Sequence, residues 1–167
     1  LTPYVQRLAS VQKISLDKAY SELKRNYDGY HFSEDAPGMY NPFSVLNTLD
    51  NLKFGNYWFE TGTPSYLVEL MQDQDMKLWN ITKKLVSSDV LNSVDIATTE
   101  PISVIFQSGY LTIKGYKNEY DGYLLGFPNE EVKRGFLRYL IPRYTSVRPS
   151  DTAFEIESFV EEVKGGD

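Results

Sequence analysis

The one histidine of the chain, His31, stands in the run Tyr27-Asp28-Gly29-Tyr30-His31-Phe32, and it limits the chemistry open to this sequence. A single His and no Cys exclude His-pair metal sites and every sulfur-ligated zinc site, which leaves only carboxylate-rich arrangements. His31 as the base of a Ser or Asp system is the sharper reading. A turn histidine bonding to backbone between two aromatics is the one its neighbours favour. The carboxylates Asp28, Glu60 and Asp95 have no mutual spacing of a catalytic pair, and Asp73 and Asp75 read as the solvated end of a helix. No Gly-x-x-x-x-Gly-Lys-Ser/Thr, no Gly-x-Gly-x-x-Gly and no Gly-Lys dipeptide occurs, so the chain lacks the loop that cradles phosphates. The expectation is therefore no catalytic, cofactor-binding or metal-ligating residue on this chain.

Two segments retain some interest. Glu60-Thr61-Gly62-Thr63-Pro64 places a helix N-terminus where an anion would be favoured, but Pro64 removes a donor and Glu60 repels, so a structural cap is expected. The second is cationic. Net charge is −6 overall, yet residues 110–148 hold 7 Lys/Arg against 4 Asp/Glu, whereas residues 149–167 hold 1 against 6. Only the middle stretch offers a basic footprint for nucleic acid, through Lys114, Lys117, Lys133, Arg134 and Arg138. Arg134 and Arg138 fall at i,i+4 opposite the apolar stripe of their helix, and an ordinary solvated face is the plainer reading of the pair.

The elements that must position these residues are mainly helical. Ser15 caps a helix over 15–28, with Leu16, Ala19, Tyr20, Leu23 and Tyr27 on one stripe, Lys18 and Glu22 paired outside, and Gly29 ending it. Asn41-Pro42 starts a second helix expected to turn Phe43, Leu46 and Leu49 inward. Phe54-Gly55-Asn56 breaks it before the aromatic knot Tyr57-Trp58-Phe59. Thr63-Pro64 opens another helix, and residues 77–98 hold more. Glu100-Pro101 starts a short helix that Gly109 ends. Tyr110–Lys114 and Tyr123–Phe127 then alternate as strands around a polar turn at 115–122, a β-hairpin. Pro128-Asn129-Glu130-Glu131 begins a helix with Val132, Phe136, Tyr139 and Leu140 buried, and residues 152–164 read as an acidic amphipathic helix. The fold class is mainly α with one β-hairpin, α+β. The expected division is a helical half at 1–98 that resembles a lid, a hairpin-containing half at 99–148 that resembles part of a winged-helix module, and a linker with a connector helix at 149–167.

Three blocks carry a resemblance. They are Tyr27–Phe32 with Tyr40-Asn41-Pro42-Phe43-Ser44-Val45-Leu46, then Asn56–Pro64, and then Phe106–Lys114 followed by Gly126–Val132. In order, from about residue 13 to 145, they resemble the AAA-ATPase-like proteins abundant in gut Bacteroides and Clostridia. The resemblance implies that Asp28, Gly29, Tyr30, Asn41, Pro42, Trp58, Thr61, Gly62, Thr63, Pro64, Gly109, Pro128 and Asn129 are structural motif positions. It also implies a piece of a longer protein: a nucleotide-binding core with ATP and Mg2+ before Leu1, and a PD-(D/E)XK nuclease-like domain after Asp167. Neither catalytic motif has a matching residue here. The partners expected are the flanking domains of the same chain, with nucleic acid as the alternative and no membrane. No apolar run nears the ~20 residues of a membrane span, and the first residues lack the pattern of a signal peptide, so a cytoplasmic protein is expected.

Overall fold

Residues 1–33, 35–60, 85–91 and 100–144 are described by the computed structural model. Helix α1 (Thr2–Gln12) carries Pro3 in its first turn and ends on Lys13 in the left-handed conformation. The sequence reading passes over it, because its inward stripe is only Val5, Leu8 and Ala9, while Leu1, Tyr4 and Val11 stay exposed. Helix α2 (Leu16–Tyr27) follows as expected: the Ser15 hydroxyl accepts from the Lys18 amide at 3.1 Å, and Lys18 pairs with Glu22 at 2.7 Å. Val5, Leu8 and Ala9 pack with Ala19, Leu23 and Tyr27 in one apolar cluster that also takes in Leu49.

Helix α3 (Pro42–Asn51) has its expected cap, with Asn41 Oδ1 accepting from the amides of Phe43 and Ser44. Its rotation differs from the expectation. Phe43 and Leu46 are 44% and 65% exposed, and the buried residues are Ser44, Thr48 and Leu49. The reason is the hydroxyl of Tyr27, which is buried and needs polar partners at that depth. Thr48 Oγ1 donates to it at 2.7 Å, the Gly55 amide donates to it at 3.0 Å, and it donates to the Gly55 carbonyl at 3.0 Å. A Thr side chain turned inward satisfies that hydroxyl; the apolar stripe of α3 turned inward would not.

After one turn of helix α4 (Tyr57–Glu60), a second cluster is built from β1 (Leu85–Val86), α5 (Ser88–Leu91), α6 (Pro101–Gln107), β2 (Thr112–Lys117), β3 (Gly122–Gly126) and α7 (Glu130–Tyr144). The strands form an antiparallel sheet in the order β1-β3-β2, so the fold is α+β. Two details correct the sequence reading. The stretch 77–98 contributes strand β1 as well as a helical turn, with Leu85 opposite Leu124 and Val86 opposite Tyr123. The polar turn is also shorter than 115–122: β2 runs to Lys117, and a single 3-10 turn at Asn118–Tyr120, closed by left-handed Asp121, returns the chain. The β2–β3 register slips between Ile113 and Gly115, leaving Lys114 in a bulge.

Gly109, at φ +79°, ends α6 as expected, and Asn129 caps α7 by accepting from the Val132 amide at 3.1 Å. Val132, Phe136 and Leu137 are buried along α7. The side chains of Tyr139 and Leu140, the segment Thr61-Gly62-Thr63-Pro64 with the helix expected after it, Asp73, Asp75, Asp95 and the helix expected at 152–164 lie outside the described residues.

Gly29 passes close to the backbone that leads into α7. It has φ +106°, and a Cβ there would sit 2.2 Å from the Pro128 carbonyl oxygen. Gly29→Ala therefore combines left-handed strain with a backbone overlap, and an expected loss of at least about 2 kcal/mol in urea unfolding follows. A loss under about 0.5 kcal/mol would mean that this approach is not part of the folded state.

Candidate functional site

The motif residues converge where the two clusters meet. The backbone turns at Asp28, whose Oδ1 accepts from the Gly29 amide at 2.8 Å, and Tyr30 exchanges both backbone hydrogen bonds with Met39. His31 then crosses to the sheet: its amide donates to Thr112 Oγ1 at 2.6 Å, and Thr112 Oγ1 donates to the His31 carbonyl at 2.9 Å. The imidazole Nδ1 lies 2.9 Å from the Ala36 carbonyl, so it carries the hydrogen of that bond. His31 is thus the backbone-bonded turn histidine expected from the sequence.

On the other side of the junction, Trp58 packs against Tyr110 with ring centroids 5.1 Å apart, and its amide donates to Glu131 Oε1 at 3.0 Å. Glu131 is only 1% exposed. Gly109 lies beside the Trp58 and Tyr30 rings, where a Cβ would meet them at ordinary contact distance. Burial, with the nearby Glu131 charge adding to it, raises the Tyr30 phenol well above its usual range; the Tyr27 phenol is raised by burial. Both phenols therefore stay neutral near neutral pH.

The cations of the sequence have unequal freedom. Much of Lys114 is exposed, but its amine lies 3.3 Å from the Pro128 carbonyl and close to Gly29. Burial lowers its pKa, and the Asp28 charge works the other way. Lys114 is therefore engaged at the junction. Lys117 stands exposed at the end of β2, opposite Gly122; Lys133 is half-buried, and Arg134 and Arg138 are exposed on α7.

Arg134 also lines a groove of about 410 Å³ between α2 and α7, which the sequence did not reveal. Lys18, Glu22 and Arg25 of α2 line it with Phe54 and Asn56. Glu22 Oε1 takes Lys18, and Oε2 takes Arg25 at 2.6 Å and Asn26 at 3.3 Å. The hydrogen bond from Lys18 holds the Glu22 carboxyl below its usual range. Arg134 approaches Glu130 at 3.7 Å, beyond good hydrogen-bond length. The sequence marked Arg134 but not its α2 neighbours, because no local pattern brings together helices more than a hundred residues apart.

No group of three or more His, Cys, Asp or Glu side chains able to hold a metal occurs among the described residues. Nor, among those residues, is any helix long and apolar enough to cross a membrane.

The chain is 32% identical over 125 residues to a protein of Azotobacter chroococcum mcd 1 described as "Uncharacterized protein in vnfD 5'region". The match takes in 74% of this chain but spans only 24% of that longer protein. No protein-family profile and no solved structure matches the chain.

Removing the Glu131 carboxylate leaves the Trp58 amide without its buried acceptor. Glu131→Ala is expected to cost about 1–3 kcal/mol in urea melts, and Glu131→Gln, which keeps a carbonyl acceptor, distinctly less. Trp58→Ala is expected to cost about 3 kcal/mol, the low end for a large buried side chain because Trp58 is only half-buried. Equal and negligible losses in all three variants would place the junction outside the cooperative core.

Proposed function

We propose that this chain is a non-catalytic interaction and regulatory module of a longer AAA-type ATPase-like polypeptide, acting in the cytoplasm between a nucleotide-binding core and a nuclease-like domain. The observation that carries this reading is the use made of the motif residues. Asp28, Gly29, Tyr30, Trp58, Gly109 and Pro128 join two clusters, while Asn41 and Asn129 cap the helices on either side. A rigid joint of this kind transmits the displacement of one flank to the other. Beside it, Phe32, Met39, Tyr40, Phe43 and Leu46 stand exposed along one loop and the start of α3, apolar side chains available to a neighbouring surface. The Azotobacter protein, of which this chain spans about a quarter, supports a segment that works within a longer polypeptide.

A second reading, nucleic-acid binding by the winged-helix-like half, is favoured by Arg134 and Arg138 standing exposed on α7, Arg134 at the groove.

The first reading is tested on the complete reading frame. The whole polypeptide is expected to hydrolyse Mg-ATP while residues 1–167 alone do not. The double variant Phe43→Asp/Leu46→Asp is expected to change the turnover of the whole polypeptide at least about threefold without lowering the melting temperature of the isolated chain, since both residues are exposed. Turnover by residues 1–167 alone, or a whole polypeptide without nucleotide affinity, would sink the reading.

A further inference from the structure

We propose that the groove between α2 and α7 binds single-stranded nucleic acid, one unpaired nucleotide seating over Phe54 with its phosphates on Arg25 and Arg134. This rests on the second reading above and gives it a site other than the hairpin. The volume of about 410 Å³ lies within the range of pockets that enclose small ligands, and is enough for one base and its sugar. The floor is pre-set. Phe54 stacks on Tyr27 at 18° and 6.5 Å, and the next residue, Gly55, is tied to the Tyr27 hydroxyl through both its amide and its carbonyl. An aromatic face held in place accepts any base, because every base has a π-face.

The rim supplies the charge. Lys18, Arg25 and Arg134 are all about half exposed or more, against the carboxylates Glu22 and Glu130. These five sum to +1, and Arg138, one turn along α7, adds another positive charge. The guanidinium of Arg25 uses one terminal nitrogen on Glu22 and keeps further donors in its planar fork for a phosphate. Asn56, whose side chain makes no hydrogen bond among the described residues, offers an amide at the edge of the floor. A duplex cannot lower a paired base onto Phe54. An acidic peptide would match the cations but has no use for the aromatic floor. Lys114 is held at the junction, which leaves the hairpin only Lys117 for the same task.

So small a surplus of charge gives weak, salt-sensitive binding. Fluorescence anisotropy with a labelled oligothymidylate of about 12 nucleotides is expected to give a Kd near ~10 μM at about 50 mM NaCl, weakening about fivefold at 150 mM, as two neutralised phosphates require. Arg134→Glu is expected to weaken binding at least about tenfold. Phe54→Leu is expected to weaken it about fivefold or more without changing the salt slope. Thermal melts check that each variant folds, and Asn56→Ala, which leaves the core untouched, is expected to weaken binding if Phe54→Leu unfolds. Loss of binding in Lys117→Glu but not in Arg134→Glu would move the site to the hairpin, overturning the groove while the second reading stands. No binding at any salt would remove both. Equal affinity for duplex, competition by thymidine monophosphate at matching concentration, or equal capture of a poly-glutamate peptide regardless of Phe54 would each overturn the single-strand assignment.

Discussion

A carboxylate withdrawn from water costs several kcal/mol unless its oxygens find donors, and Glu131 is withdrawn almost completely. Its position meets that cost in two ways. It lies in the first turn of α7, where unpaired amides and the helix dipole favour negative charge, and it accepts the Trp58 amide from the other half of the chain. The placement of α4 follows, and with it the packing of Trp58 on Tyr110 and of Tyr110 on Phe136. Much of the joint is arranged around one buried carboxylate, whose Oε1 takes the Trp58 amide.

Several polar groups are committed to holding the joint and its flanks: Nδ1 of His31 to a carbonyl, the amine of Lys114 to Pro128, the hydroxyl of Tyr27 to Thr48 and Gly55. Among the described residues, exposed apolar side chains stand on one flank of the joint, and a groove lined by Lys18, Arg25 and Arg134 lies on another. Buried Ser44 Oγ and Asn129 Nδ2 have no hydrogen-bond partner among the described residues, a cost of about 1–3 kcal/mol each beside two well-made caps.

Local signals were legible in the sequence and long-range ones were not. Ser15, Asn41 and Asn129 each cap a helix whose start they mark, because capping involves only the next two or three amides. The Lys18–Glu22 pair and the glycine end of α6 are equally local. The rotation of α3 was hidden, since Phe43, Leu46 and Leu49 read as an inward stripe and only the buried Tyr27 hydroxyl explains why Thr48 turns in instead. Strand β1 is two residues long, too short for a period, and is defined by its partner β3. The junction was visible as unusual residues without its geometry: that Gly29 meets Pro128, or that Trp58 meets Glu131, depends on packing between the clusters.

The same joint bears on the order in which the molecule assembles. Its cross-links close long stretches of chain: 81 residues separate His31 from Thr112, and 73 separate Trp58 from Glu131. By contrast, the apolar cluster that α1, α2 and α3 share is built within the first 55 residues, and β2 and β3 are joined by a single turn. Loop-closure entropy grows with the logarithm of the span, so the helical cluster and the hairpin can each gather before the joint forms. A nascent chain would then present Gly29 and the Asp28 turn ready-made, waiting for the later-synthesised Pro128 carbonyl to arrive and lock the two halves in register.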